Sequence, residues 1–238
     1  MKTVHDLGVK IFADGADRAG LLALAANPVV KGFTTNPTLM HAAGLRDYEG
    51  FAREAVEWVG DRPISFEVFS DDFEDMERQA LKMAAWGDNV YVKIPVTNCA
   101  GFTSAPLVRR LVDLEVKLNV TAAMTLDQVD EMAECLGGGP AAVISVFAGR
   151  IADTGRDPVP IMAEALDVVR PHGNVELLWA SPRELLNVVQ ADEIGCHIIT
   201  VTHDLMRKLP FLGYDLGQFS LDTVRMFHDD ALAAGYSL

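Results

Sequence analysis

A single (β/α)8 TIM barrel with a C-terminal helix is the fold this sequence predicts, on three observations. Eight short β-rich runs recur with helical patterns between them, and eight is the number that closes such a barrel. The length of 238 residues is ordinary for one barrel. No linker, low-complexity tract or break in composition marks a second unit, so residues 1–238 are expected to form one domain. The structural rival is a doubly wound sheet. The G-x-G-x-x-G turn that often marks one is absent after the first run, which weakens that rival without excluding it.

The runs, in order, are Val9–Asp14, Val30–Asn36, Ile64–Phe69, Val90–Val96, Leu118–Met124, Ala142–Phe147, Val175–Ser181 and His197–Thr202. Helix punctuation separates them. Asn36-Pro37 gives a cap followed by proline at the first helical position. Ser70 and Asp71-Asp72 open an acidic first turn ahead of an apolar stripe, Phe73, Met76, Ala80 and Met83. Thr125 and Gln128 have capping-box spacing, with Gly137 to end that helix. Ser181-Pro182-Arg183-Glu184 reads as a second capping box. A terminal helix is expected over about 220–233, its apolar residues Leu221, Val224, Phe227 and Leu232 packing on the barrel or on a neighbouring subunit.

Composition narrows the function. Half the residues are apolar and 23% are charged, enough to bury a large core. The net charge of -14 argues against a nucleic-acid or anionic-membrane surface, and it means that a site for an anionic substrate must be built locally. Three scattered cysteines, Cys99, Cys135 and Cys196, suggest a reduced, cytoplasmic setting without a disulfide framework. The first ten residues lack the apolar stretch of a secretory leader, and no apolar run approaches the roughly 20 residues that span a bilayer.

Chemistry enters with the polar residues at the C-terminal ends of the runs, where barrels of this kind carry their active sites. In the fourth run Val90, Val92 and Ile94 alternate with Tyr91 and Lys93. A lysine there is open to two readings. Either it is a core ammonium paired with a carboxylate, or it is held near neutrality so that its amine can attack a carbonyl and form a Schiff base. The neighbouring ends carry Asp14, Thr34-Thr35-Asn36, Ser65 and Glu67, Asn119 and Thr121, Ser145, Phe147 and Arg150, Ser181 with Arg183, and Thr200 with Thr202. Glu67, Asn119 and Thr121 are out of phase with their apolar neighbours, as Lys93 is. Such a set supports carbon–carbon cleavage through an imine: Lys93 as nucleophile, Glu67 and Thr121 holding a water, Asp14 moving the proton of the reacting hydroxyl. Arg150, Arg183 and Ser181 could hold a phosphate, or the arginines could be surface ion pairs.

These blocks resemble the transaldolase family, in the short subfamily that includes fructose-6-phosphate aldolases. The resemblance runs from Ile11 to the C-terminal Ala-Gly-Tyr and rests on Thr34-Thr35-Asn36-Pro37-Thr38-Leu39, Val92-Lys93-Ile94-Pro95, Asn119-Val120-Thr121, Ile144 to Ile151 and Trp179-Ala180-Ser181-Pro182-Arg183. It implies Lys93 as the Schiff-base nucleophile, Asp14 as acid–base group, and Glu67 with Thr121 on the water. It further implies Asn36, Asn119 and Ser145 on substrate hydroxyls, and Arg150, Ser181 and Arg183 on phosphate; Thr34 and Phe147 complete the expected lining. The implied reaction transfers a dihydroxyacetone unit between sugar phosphates with no metal or organic cofactor. The implied assembly is a homo-oligomer, a pentamer or decamer using the C-terminal helix. The aldolase relatives carry glutamine in place of Glu67 and tyrosine in place of Phe147, so these two residues favour transferase; an aldolase using the same lysine is the alternative.

The sequence departs from the family pattern at Gly15, where threonine or serine is usual, at Asn98-Cys99, and at Ala122-Ala123-Met124. These positions bear on substrate choice rather than on proton transfer. Among the remaining candidates, Asp17 reads as a helix-start residue, His197 and His203 as packing or solvent residues, and Cys99 and Cys196 as inert. Gly137-Gly138-Gly139-Pro140 reads as a helix stop, since a strand follows it.

Overall fold

The computed structural model describes residues 3–236, so the ends of the expected 1–238 span lie outside the described residues. Strands β1 (Lys10–Asp14), β2 (Val30–Thr34), β3 (Ile64–Glu67), β4 (Val90–Pro95), β5 (Leu118–Ala123), β6 (Ala142–Val146), β7 (Val175–Trp179) and β8 (Ile198–Thr202) close into one parallel barrel in chain order. Closure is made by β8 against β1, with Ile198 beside Lys10 and Thr202 beside Asp14. The doubly wound alternative is thereby excluded. Between and after the strands lie α1 (Arg18–Ala25), α2 (Pro37–Ala42), α3 (Tyr48–Val59), α4 (Phe73–Ala84), α5 (Ala105–Asp113) and α6 (Leu126–Leu136). They are followed by α7 (Ala148–Ala152), α8 (Pro158–Val169), α9 (Leu186–Glu193), α10 (His203–Met206) and α11 (Leu216–Ala234).

Strand alternation sorts the core into two bodies. Ile64, Phe66, Val92, Ile94, Leu118 and Val120 face outward and pack under the helices with Met76, Met83, Leu107 and Met132. A separate cluster of Phe12, Val143, Leu178, Ala180 and Ile198, with Tyr91 and Phe147 against it, fills the barrel itself. At the N-terminal end of the barrel Lys10 Nζ donates to Glu176 Oε1 at 2.6 Å.

The helix starts follow the capping chemistry of the sequence in most cases. Asn36 Oδ1 accepts from Leu39 N–H ahead of Pro37, and Thr125 with Gln128 forms the expected capping box. Asp72 caps α4 and Asp17 caps α1 through Gly20 N–H, which gives Asp17 the helix-start role its position suggests.

Ser181 is a correction. No capping box forms there: Ser181 has φ +61° and α9 begins at Leu186. Asn187 Oδ1 takes the N–H groups of Arg183 and Glu184 at 2.7 and 3.1 Å and holds the segment as a loop. The Ser181 carbonyl instead lies so close to Gly149 that a Cβ there would be 1.6 Å from its oxygen. Glycine at 149 is thus a condition for the β6 and β7 loops to meet. The terminal helix also starts earlier than expected, at Leu216, because Asp215 caps it through Gln218 N–H. Its apolar residues do not pack on the barrel. Val224, Phe227 and Leu232 are 60%, 63% and 67% exposed, and no residue of α11 is buried.

Candidate active site

Lys93 sits on β4 in register with Glu67 on β3 and Asn119 on β5. Only 6% of it is exposed. Its Nζ lies 2.9 Å from Glu67 Oε2 and donates to the Thr35 carbonyl at 3.0 Å. The carboxylate partner foreseen by the core reading is therefore real, and it is the residue the catalytic reading also requires. A salt bridge at the open end of a barrel fits both, because a buried pair adds little stability beyond a matched apolar packing.

On the other side of the mouth, Asp14 ends β1. Thr34 on β2 donates its Oγ1 proton to Asp14 Oδ1 at 2.8 Å and shares a 2.6 Å contact with Thr200 Oγ1 on β8. Burial raises the Asp14 carboxyl above its ordinary range; the Lys93 ammonium and the Thr34 hydroxyl act against this, and the negative charge of Glu67 adds to it. A third group lies one strand further round. Ser145 Oγ donates to Asn119 Oδ1 at 2.7 Å, and Asn119 Nδ2 donates to Ser65 Oγ at 3.0 Å. Two residues up from Asn119, Thr121 is completely buried, and among the described residues its Oγ1 has no hydrogen-bond partner. An orphan buried hydroxyl costs about 1–3 kcal/mol, an outlay that a role towards substrate or water explains.

The barrel interior thus holds three hydrogen-bonded groups, Asp14 with Thr34, Lys93 with Glu67, and Asn119 with Ser145, on neighbouring strands, with Thr121 on the same strand face as Asn119. The expected phosphate group stands apart from them. Arg150 lies on α7 with its guanidinium 5.6 Å from the centre of the Phe147 ring, at the rim. Arg183 is exposed and paired with Asp153, its Nε 3.0 Å from Asp153 Oδ1. Asn36 uses Oδ1 as the α2 cap, and Ser181 contributes its backbone to the contact with Gly149. The departures from the family pattern also find places. Asn98 Oδ1 accepts from the N–H groups of Ala100 and Phe102, Cys99 N–H is held by Asp71, and Ala122 has φ +66° at a register shift between β5 and β6. His197 is a packing residue: its Nδ1 accepts from Leu177 N–H, and burial lowers the pKa of the ring.

Three contributors carry no assigned role in the sequence alone. Ser65 and Thr200 were visible at strand ends, and their phase alone places them with the interior set. Tyr48 had no such signal. Pairing of β2 with β3 stops at Ser65, so the β2-facing backbone of Glu67 has no strand partner. The Tyr48 hydroxyl, from the first turn of α3, replaces that ladder: it donates to Glu67 O at 3.0 Å and accepts from Glu67 N–H at 3.2 Å. Its own pKa is raised by burial.

The sequence matches the Transaldolase/Fructose-6-phosphate aldolase family over residues 11–234. The chain belongs to that family. Membership makes it an aldolase-type enzyme. A probable transaldolase of Streptococcus equi subsp. zooepidemicus is 35% identical over 203 residues, covering 84% of this chain and 90% of that protein. A probable transaldolase of Dehalococcoides mccartyi is 28% identical over 218 residues, covering 90% and 97% respectively. Among solved structures, 2,3-dimethylmalate lyase, a PEP mutase/isocitrate lyase superfamily member, aligns with a TM-score of 0.55 over 98% of this chain and 86% of that one. At 13% identity this is a likeness of fold alone. No helix of this family member is long and apolar enough to cross a membrane among the described residues.

Proposed function

We propose that this member of the family is a transaldolase that moves a dihydroxyacetone unit from a ketose phosphate to an aldose phosphate through a Schiff base on Lys93. The observation that carries the reading is the buried Lys93 Nζ, 2.9 Å from Glu67 Oε2, in a mouth shared with the raised Asp14 carboxyl and the unpartnered Thr121 hydroxyl. Glu67 takes the proton that the ammonium must give up before it attacks the ketose carbonyl. Loss of water leaves a protonated imine. Asp14 then removes the proton of the hydroxyl two carbons from the imine carbon. The bond between the carbon bearing that hydroxyl and the intervening one breaks to release an aldose phosphate as its aldehyde, and the bonding electrons pass into the imine to leave an enamine. The enamine carbon attacks the acceptor aldehyde, Asp14 returns the proton, and a water held by Glu67 and Thr121 hydrolyses the imine. Asn119, Ser145 and Asn36 hold substrate hydroxyls, with Thr34 setting Asp14. The phosphate lies at the rim on Arg150, Arg183 and the Ser181 segment, local positive charge against a net -14.

Transferase is favoured over simple aldolase by Glu67 and Phe147. A ring without a hydroxyl at 147 offers no donor to bring water to the enamine, so the intermediate waits for an aldehyde. The decisive assay measures ketose phosphate cleavage with and without an aldose acceptor; full turnover without acceptor refutes transfer. Replacing Glu67 by Gln keeps the shape and removes the carboxylate. It is expected to lower the transfer rate and raise acceptor-free cleavage; an unchanged ratio of the two would show that Glu67 does not distinguish them.

The same reading includes a homo-oligomer, pentameric or decameric, built on α11, whose Leu216, Val224, Phe227 and Leu232 are all at least 60% exposed. Changing Phe227 and Leu232 together to Asp is expected to lower the molar mass measured by light scattering towards that of one chain; a protein already monomeric before mutation contradicts the assembly. Cys99, Cys135 and Cys196 are all free thiols, in keeping with a reduced cytoplasmic setting.

A further inference from the structure

His203, the first residue of α10, closes the side of the mouth next to Asp14. Its ring occupies space that two glycines leave: a Cβ on Gly15 would lie 2.6 Å from Nε2, and one on Gly20 would lie 2.1 Å from Cε1. Asp17 aims the ring, with Oδ2 3.3 Å from Nδ1, while its other oxygen caps α1 through Gly20 N–H. Nε2 is left towards Gly15, the residue directly after Asp14. Asp14, Gly15, Asp17, Leu39, Thr202 and His203 line one cavity of about 400 Å³ at this side of the barrel. The histidine side chain is 27% exposed there. Gly15, one of the departures from the family pattern, thus has a counterpart in space.

We propose that His203 is a positioning residue for Asp14: its ring, admitted by Gly15 and Gly20 and oriented by Asp17, biases the charge of the buried carboxylate and links its proton to solvent. The inference rests on the reading of Asp14 as the proton-transfer group. The charged groups that act on Asp14 are Lys93, Glu67 and His203, besides the Thr34 hydroxyl. Those around the imidazole are Asp14 and Asp17 from the β1–α1 segment and Asp204 from its own helix, the last tied to Arg207; the α2 side of the cavity is apolar, with Leu39, Ala42 and Ala43. A protonated imidazole favours the ionised carboxylate. Without it, Asp14 keeps its proton to higher pH.

The test is the pH profile of kcat/KM for the full chain and for His203→Gln and Gly15→Ser, with borohydride trapping of the ketose phosphate adduct at Lys93 run on each. Glutamine removes the imidazole. Serine keeps it but pushes the ring tip out of its seat. Both variants are expected to form the Lys93 adduct, to lose kcat/KM several-fold at the acid end, and to approach the wild type at the alkaline end. Profiles that overlay the wild type, with trapping intact, overturn the role of His203. If His203→Gln fails to fold, Gly15→Ser decides alone. A wild type that forms no adduct at Lys93 overturns the Schiff-base reading itself and is distinguished from the first failure by the trapping result.

Discussion

Lys93→Ala is expected to bring turnover down to background, a fall on the order of 10⁴-fold or more, while the barrel stays folded. The first half follows from chemistry: alanine has no amine, and among the described residues no other lysine is hydrogen-bonded to the interior set, Lys10 being bound to Glu176 at the opposite end of the barrel. The second half follows from place. Lys93 lies at the C-terminal mouth, above the apolar cluster of Phe12, Val143, Leu178 and Ile198, and truncation leaves that cluster and the outward-facing residues of β4 untouched. What is lost is the ion pair to Glu67 and one hydrogen bond to the Thr35 carbonyl. Glu67, with its side chain 21% exposed, can be rehydrated through the mouth. The cost is therefore about 1–3 kcal/mol, with Tm lowered by roughly 2–4 °C for each kcal/mol in a chain of this size. Steady-state kinetics with circular dichroism melts would check both halves. Loss of the cooperative transition would mean that Lys93 is a structural lysine first, and residual activity above background would exclude it as the nucleophile.

The legibility of this site has a physical pattern. Strands of a closed parallel barrel are buried on both faces, so all eight apolar runs stand out in the sequence, the expected ends running past the sheet at Asn36 and Ser181. The same alternation that buries Val92 and Ile94 under the helices exposes Lys93 to the interior, and this made Glu67, Asn119 and Thr121 readable by phase. Other features depend on contacts far apart in sequence. Ser-Pro-Arg-Glu has the composition of a capping box, yet Asn187 captures the two N–H groups that a box would use. Tyr48 stands at a helix start and acquires its role only because β2 is too short to pair with Glu67. His203 looked like a strand-flanking residue; its meaning lies in side chains that are missing at Gly15 and Gly20.

Asp14→Asn is expected to separate activity from stability. Asparagine keeps the acceptor for the Thr34 hydroxyl and the size of the group, so the mouth should hold its shape. It cannot take a proton from the substrate hydroxyl, and kcat/KM should fall by roughly 10²–10⁴-fold, the usual contribution of a positioned acid–base group. Stability should move the other way. Burial raises the Asp14 carboxyl, and this outweighs the opposing pull of Lys93 and Thr34. A carboxyl raised in the folded state stabilises fully only below its unfolded value, and that contribution is lost as pH rises through the folded one. At neutral pH, well above the unfolded value, the wild type therefore carries a destabilisation from the buried Asp14 carboxyl that the variant lacks. Tm of Asp14→Asn should exceed that of the wild type near pH 7, and the gap should close as the solution is acidified and Asp14 takes up its proton. A variant less stable at neutral pH would make Asp14 an anchor for Lys93 and Thr34, and wild-type turnover would remove it from the chemistry. The combination expected here, less activity with more stability, is the mark of a carboxylate held in the mouth for what it does rather than for what it holds together.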